Sequence, residues 1–130
     1  MVGIKILLVD DEPDFLKLME TRVKKWGYNT AQATCADEAF QKLTDENPDI
    51  IILDFMLPDM DGVSVLKEIR KINHKIPVIM FTAYPEGRVM EDSEELGVSA
   101  FIPKVSVSSD AFSSLKKSIE LIERKLNKSK

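Results

Sequence analysis

Five short apolar runs, each followed by a segment of helical periodicity, restrict this chain to a small set of folds. Residues 4–9, with Ile4, Ile6, Leu7, Leu8 and Val9, read as a first strand. Pro13 stands at a first helical position, where its missing N–H costs nothing. Phe15, Leu18, Met19, Val23 and Trp26 then recur at helical spacing until Gly27 stops the helix. Residues 28–33 read as a second, less hydrophobic strand. Residues 36–46 read as a helix with Ala39, Phe40 and Leu43 inward, broken by Asn47-Pro48-Asp49. Ile50, Ile51, Ile52 and Leu53 form a continuous apolar run, the pattern of a strand covered on both faces. A turn-rich loop at 57–62 leads into a third helix carried by Val65, Leu66, Ile69 and Ile72. A fourth strand at 77–81, a weak acidic helix at 86–96 ended by Gly97, and a short strand at 100–102 follow. Phe112, Leu115, Ile119, Ile122 and Leu126 mark a final helix. Alternation of this kind predicts an α/β fold: a five-stranded parallel sheet with helices on both faces, joined by right-handed crossovers.

Bulk properties remove several classes of function. A chain of 130 residues with 44% hydrophobic and 31% charged residues suits one soluble domain with a single core. The net charge of -4 argues against direct nucleic-acid binding, which calls for a basic face. The apolar runs are too short to span a bilayer, and the N-terminus lacks the apolar stretch of a signal peptide. The one cysteine, Cys35, excludes an internal disulfide and fits a reducing cytoplasm. The expectation is therefore a cytoplasmic protein with no membrane partner.

In open parallel sheets, ligands bind beyond the carboxyl ends of the strands, where the strand order reverses. Asp10 and Asp11 follow the first strand, Asp54 the third, Thr82 the fourth and Lys104 the fifth. Three acids, a hydroxyl and an ammonium would then face one mouth. Clustered carboxylates raise one another's pKa values unless a counterion intervenes. A hard divalent cation resolves that conflict, and oxygen ligands suit Mg²⁺. A carboxylate can also act as a nucleophile and form an aspartyl phosphate. Phosphoryl transfer then needs in-line positioning and positive charge on the equatorial oxygens. Taken singly, each residue has an ordinary explanation. Acids favour helix N-termini, threonine is common in strands, Lys104 reads as a solvated lysine and Phe101 as core. His74, in a polar loop without metal-type neighbours, reads as exposed, so a phosphoryl donor must come from outside.

Four fragments, in order and each at a strand end, carry a resemblance. They are Leu-Val-Asp-Asp at 8–11, Leu-Asp-x-x-Leu-Pro-x-Met-Asp-Gly at 53–62, Phe-Thr-Ala at 81–83 and Phe-Ile-Pro-Lys at 101–104. The chain resembles the receiver domain of bacterial two-component response regulators, of the chemotaxis-regulator type, over essentially its whole length. The resemblance implies a (βα)5 flavodoxin-like receiver fold over residues 1–127, with 128–130 as a polar tail or the start of a linker. It implies Asp54 as phosphoacceptor and Mg²⁺ held by Asp11, Asp54 and the backbone carbonyl of Met56, with Asp10 acting through a water. Thr82 would bond the phosphoryl oxygen, Lys104 would pair with it, and Phe101 would turn inward as Thr82 moves. Met56 and Tyr84 would line the approach of water. The donor would be a histidine kinase or a histidine phosphotransfer protein. The readout would be an output partner, an effector domain or a homodimer through the face of the last two helices. The molecule would be a signalling switch rather than a turnover enzyme.

One position departs from the pattern. The family usually follows this lysine with a proline through a cis peptide, and this chain has Val105. A cis bond to a non-proline residue costs about 3 kcal/mol, so either a trans bond with a shifted loop or a strained exception is expected. The loop at 84–87, with Pro85 and Gly87, is a second oddity. Val105 is also the one hint of an alternative, a pseudo-receiver that binds partners without accepting phosphate. A phosphatase of the haloacid dehalogenase kind needs a second aspartate two residues after the nucleophile, where this chain has Met56. Nucleotide binding is disfavoured because no glycine-rich loop follows the first strand. The last helix has two readings as well. Its stripe either faces the core throughout, or Ile122 and Leu126 serve a dimer or a coiled coil.

Overall fold

The computed structural model describes residues 3–83, 87–104 and 109–128. Ten elements alternate along the chain: β1 (Lys5–Val9), α1 (Pro13–Lys25), β2 (Asn29–Ala33), α2 (Ala36–Asp45), β3 (Ile50–Leu53), α3 (Gly62–Ile72), β4 (Val78–Thr82), α4 (Gly87–Glu95), β5 (Ala100–Pro103) and α5 (Ser109–Lys128). The strands form one sheet in the order β2-β1-β3-β4-β5, and every pairing is parallel. The predicted α/β architecture is the observed one. The chain leaves β1 to one side for β2 and crosses to the other side for β3. The order therefore reverses at β1, and the carboxyl ends of β1 and β3 flank the crevice.

The period of two along each strand divides the interior into two layers. Ile6, Leu8, Ile50, Ile52, Ile79 and Phe81 pack with Leu16, Met19 and Val23 of α1 and Phe112, Leu115 and Ile119 of α5. The intervening Leu7, Val9, Ile51, Leu53, Val78 and Met80 pack with Ala39 and Leu43 of α2 and Val65, Leu66 and Ile69 of α3. All four residues of β3 are buried, so the central strand has no polar position until the chain reaches Asp54. On α5, Ile122 is buried and Leu126 packs against the same core, so the stripe faces inward as far as Leu126. Of α4, only Val89 and Ser93 are buried, in keeping with its weak sequence signal.

Several boundaries shift by one residue from the predicted ones. Tyr28 does not open β2. Its N–H donates to Val23 O at 3.4 Å and closes α1, together with Gly27 in the left-handed region at φ +99°. The Tyr28 hydroxyl donates instead to Glu123 on α5 at 2.8 Å, and burial with that nearby carboxylate pushes its pKa up. Strand β4 begins one residue after Pro77 and ends on Thr82, and β5 extends to Pro103. Arg70 carries a tie with no signal in the sequence. Its guanidinium donates to the carbonyls of Leu96, Ile76 and Gly97 at 2.7, 2.7 and 3.0 Å, fastening the ends of α3 and α4 beneath the sheet. No helix among the described residues is long and apolar enough to cross a membrane.

Leu115 is fully buried between α5 and the sheet. Leu115→Ala is expected to lower the unfolding free energy by about 2–5 kcal/mol, measured by urea denaturation. A loss well below 1 kcal/mol would place α5 off the core.

Candidate functional site

The mouth of the sheet gathers the five side chains that the sequence singles out. Asp10 leaves β1 buried at 1% exposure, and its Oδ1 accepts the N–H of Glu12 at 3.0 Å. This is one part of the helix-capping role that acids at this position can play, since Glu12, the N-cap of α1, makes no side-chain cap of its own. The other oxygen of Asp10 accepts from Lys104 Nζ at 2.6 Å. Asp54 leaves β3 buried at 6% exposure, with Oδ2 at 3.4 Å from the same ammonium. Its Oδ1 is buried and has no hydrogen-bond partner among the described residues. Asp11 is exposed at the rim. One carboxylate oxygen from each of Asp10, Asp11 and Asp54 lies within 4.8 Å of the others. Thr82, fully buried at the end of β4, helps to hold the Asp54 pKa down. The N–H of Lys104 donates to Thr82 O at 2.7 Å, so the end of β5 is tied to the end of β4.

Burial pushes the Asp54 pKa above the ordinary carboxylate value. The Lys104 charge opposes that shift, the Asp10 charge adds to it, and hydrogen bonds from Thr82 and Lys104 oppose it. The net result is a carboxylate short of positive charge. One lysine serves two buried acids, and one oxygen has no donor. That is a fitting donor set for a hard divalent cation: three carboxylates of the right type, one oxygen left over, and an exposed rim at Asp11 for entry.

The loop after Asp54 is held from both ends. Gly62 N–H donates to Phe55 O at 2.6 Å, and Met56 pairs with Asp61 in a single antiparallel bridge. A Cβ on Gly62 would sit 2.7 Å from Asp54 O and from Phe55 Cα, both backbone atoms. The glycine is therefore required for close approach, and not for an unusual φ. Asp61 caps α3 by accepting from Ser64 N at 2.9 Å. Asp59 was not marked by sequence reasoning. Its two oxygens accept the N–H groups of Ala36 and Asp37 at 2.8 and 3.1 Å, so it caps α2 in place of Cys35, which makes no side-chain cap. Phe101 is half-buried against the layer that holds α2 and α3. His74 is exposed, as expected. Tyr84 and Val105, with the question of the bond after Lys104, lie outside the described residues.

Comparison with known proteins agrees with this geometry. A family model described as the response regulator receiver domain matches residues 6–116. Sporulation initiation phosphotransferase F of Bacillus subtilis is 38% identical over 104 residues, covering 80% of this chain and 84% of that protein. The alkaline phosphatase synthesis transcriptional regulatory protein PhoP of the same organism is 37% identical over 77% of this chain, which spans only 42% of that relative. Among solved structures, response regulator protein TrrA of Thermotoga maritima, in complex with Mg(2+)-BeF, superposes with a TM-score of 0.81. It is 31% identical and covers 92% of this chain and 98% of its own.

Because the folded pKa of Asp54 is raised, the folded state holds this proton more tightly than the unfolded chain does. Stability from this group is present below the unfolded value of about 3.9 and is lost as pH rises through the folded pKa. In metal-free buffer, Asp54→Asn is expected to melt a few degrees above the wild type near neutral pH, with the gap closing in acid (about 2–8 °C per kcal/mol). Thermal melts from pH 3 to 8 with chelator check this. A gap that is constant or reversed would contradict the burial argument.

Proposed function

We propose that this chain, which belongs to the response regulator receiver domain family of two-component systems, is a phosphorylation-driven switch with Asp54 as the phosphoacceptor. The observation that carries the reading is the buried, charge-deficient Asp54 beside Asp10, Asp11 and Lys104, with one oxygen lacking a donor among the described residues. An Asp54 oxygen attacks the phosphorus of a phosphohistidine on a kinase or phosphotransfer protein, or of a small acyl phosphate. The bond to the leaving nitrogen or oxygen breaks with its electron pair, and an imidazole or a carboxylate departs. Asp11, Asp54 and the Met56 carbonyl would hold Mg²⁺ directly and Asp10 through a water. The ion would supply positive charge for the equatorial phosphoryl oxygens. TrrA, bound to Mg(2+)-BeF in its own structure, supports that assignment by similarity.

This chain's own groups do the rest. Lys104 already lies within 3.4 Å of Asp54 and meets the charge that transfer brings there. Thr82 stands at the end of β4, and its hydroxyl would bond the phosphoryl oxygen after transfer. Phe101, half-buried on β5, would turn inward as Thr82 shifts. The face of α4, β5 and α5 then changes its affinity for an output partner, an effector domain or a second copy of the chain. Loosely packed α4 suits that role. The receiver unit comprises residues 1–127, works in the cytoplasm and acts as a switch rather than as a turnover enzyme.

Intact mass spectrometry after incubation with acetyl phosphate tests the assignment. One phosphoryl group is expected on the wild type with Mg²⁺, none with chelator, and none on Asp54→Asn. A gain that survives Asp54→Asn would move the acceptor elsewhere. No gain on the wild type in Mg²⁺, with either acetyl phosphate or a kinase, would leave a binding module that no longer transfers phosphate.

A further inference from the structure

We propose that Phe15 is a positioning residue for Lys104: its ring face holds the ammonium on the line between Asp10 and Asp54. This deepens the proposed function and rests on it. Lys104 Nζ lies 4.2 Å from the centroid of the Phe15 ring, within the range of a cation–π contact. The Phe81 ring is farther, at 5.9 Å. The same ammonium meets Asp10 Oδ2 at 2.6 Å and Asp54 Oδ2 at 3.4 Å. The side chain is 14% exposed, so water does little to hold it.

A lysine needs such support. Its ammonium is a point charge on a flexible four-carbon stem, unlike the planar fork of arginine. The backbone end is fixed by the hydrogen bond from Lys104 N to Thr82 O. The free end would otherwise follow the stronger contact, which is with Asp10. With the Phe15 ring behind it, the ammonium moves between the two carboxylates rather than away from both. The ring is a firm backing because it is itself clamped. It lies stacked on Phe112 at 6.0 Å and 23°, and tilted against Phe81 at 5.9 Å and 45°. Phe81 and Phe112 in turn meet edge to face at 5.9 Å and are almost wholly buried. Phe15 touches none of the reacting atoms and acts through Lys104. The competing explanation is that Phe15 is only a core aromatic at the start of α1.

A double-mutant cycle separates the two. Phosphorylation by acetyl phosphate at saturating Mg²⁺ is timed for wild type, Phe15→Leu, Lys104→Met and the double variant, with Phe15→Tyr as the conservative replacement. Phe15→Leu is expected to slow the reaction about threefold to tenfold, while Phe15→Tyr stays within about twofold of wild type. In the Lys104→Met protein, Phe15→Leu should cost less than about twofold. An equal loss in both backgrounds overturns the proposal, since packing damage does not depend on Lys104. A second readout uses the metal-free protein. The ε-methylene protons of Lys104 should show an upfield ring-current shift by NMR that diminishes in Phe15→Leu, or in Phe15→Met should the leucine variant not fold. An unchanged shift overturns the contact. If the wild type accepts no phosphoryl group, the proposed function fails, and the shift measurement still decides whether Phe15 holds Lys104.

Discussion

Two buried carboxylates share one ammonium at the mouth of the sheet, and much of the structure exists to hold that imbalance. Asp10 and Asp54 end adjacent strands on either side of the point where strand order reverses. Both side chains are buried. Lys104 arrives from β5, two strands away from β3, and can reach both acids only because β4 and β5 are tied at Thr82. A charge left this short in a desolvated pocket is costly, and a protein retains it where a cation or a transferred group will later meet it.

The ties around the site are unevenly distributed. Asp59, Asp61 and Gly62 fasten the loop after Asp54 to the starts of α2 and α3. Met56 therefore sits on a short, doubly anchored span. The aromatic set of Phe15, Phe81 and Phe112 stiffens the opposite wall. By contrast, α4 buries two side chains and is tied at its far end, where Arg70 grips the carbonyls of Leu96 and Gly97.

The strands were legible in the sequence from local apolar patterns, and the five candidate site residues from their places after those strands. Ile50 to Leu53 is apolar at every position because both faces are covered, and the acid that follows stands out for that reason. Boundaries were less legible where a backbone hydrogen bond decides them. Tyr28 looks like a strand residue, yet its N–H closes α1. Thr82 looks as though it follows β4, yet it pairs with Pro103 inside the sheet. Three ties had no local signature. Asp59 reaches Ala36 across 23 residues, and Arg70 reaches Leu96 across 26. Phe15 reads as one more apolar position on α1, and only the tertiary arrangement places Lys104 over its ring. Gly62 looks like an ordinary glycine in a turn-rich loop. Its function is the space it leaves for Asp54 O and Phe55 Cα.

The central claim is that the three carboxylates form a cation site completed by the unpaired oxygen of Asp54. Calorimetric titration of Mg²⁺ into the unphosphorylated protein measures this most directly. One binding event per chain is expected, weakened about tenfold or more by either Asp11→Asn or Asp54→Asn. A wild type that binds no Mg²⁺, or one whose affinity both substitutions leave unchanged, would contradict it.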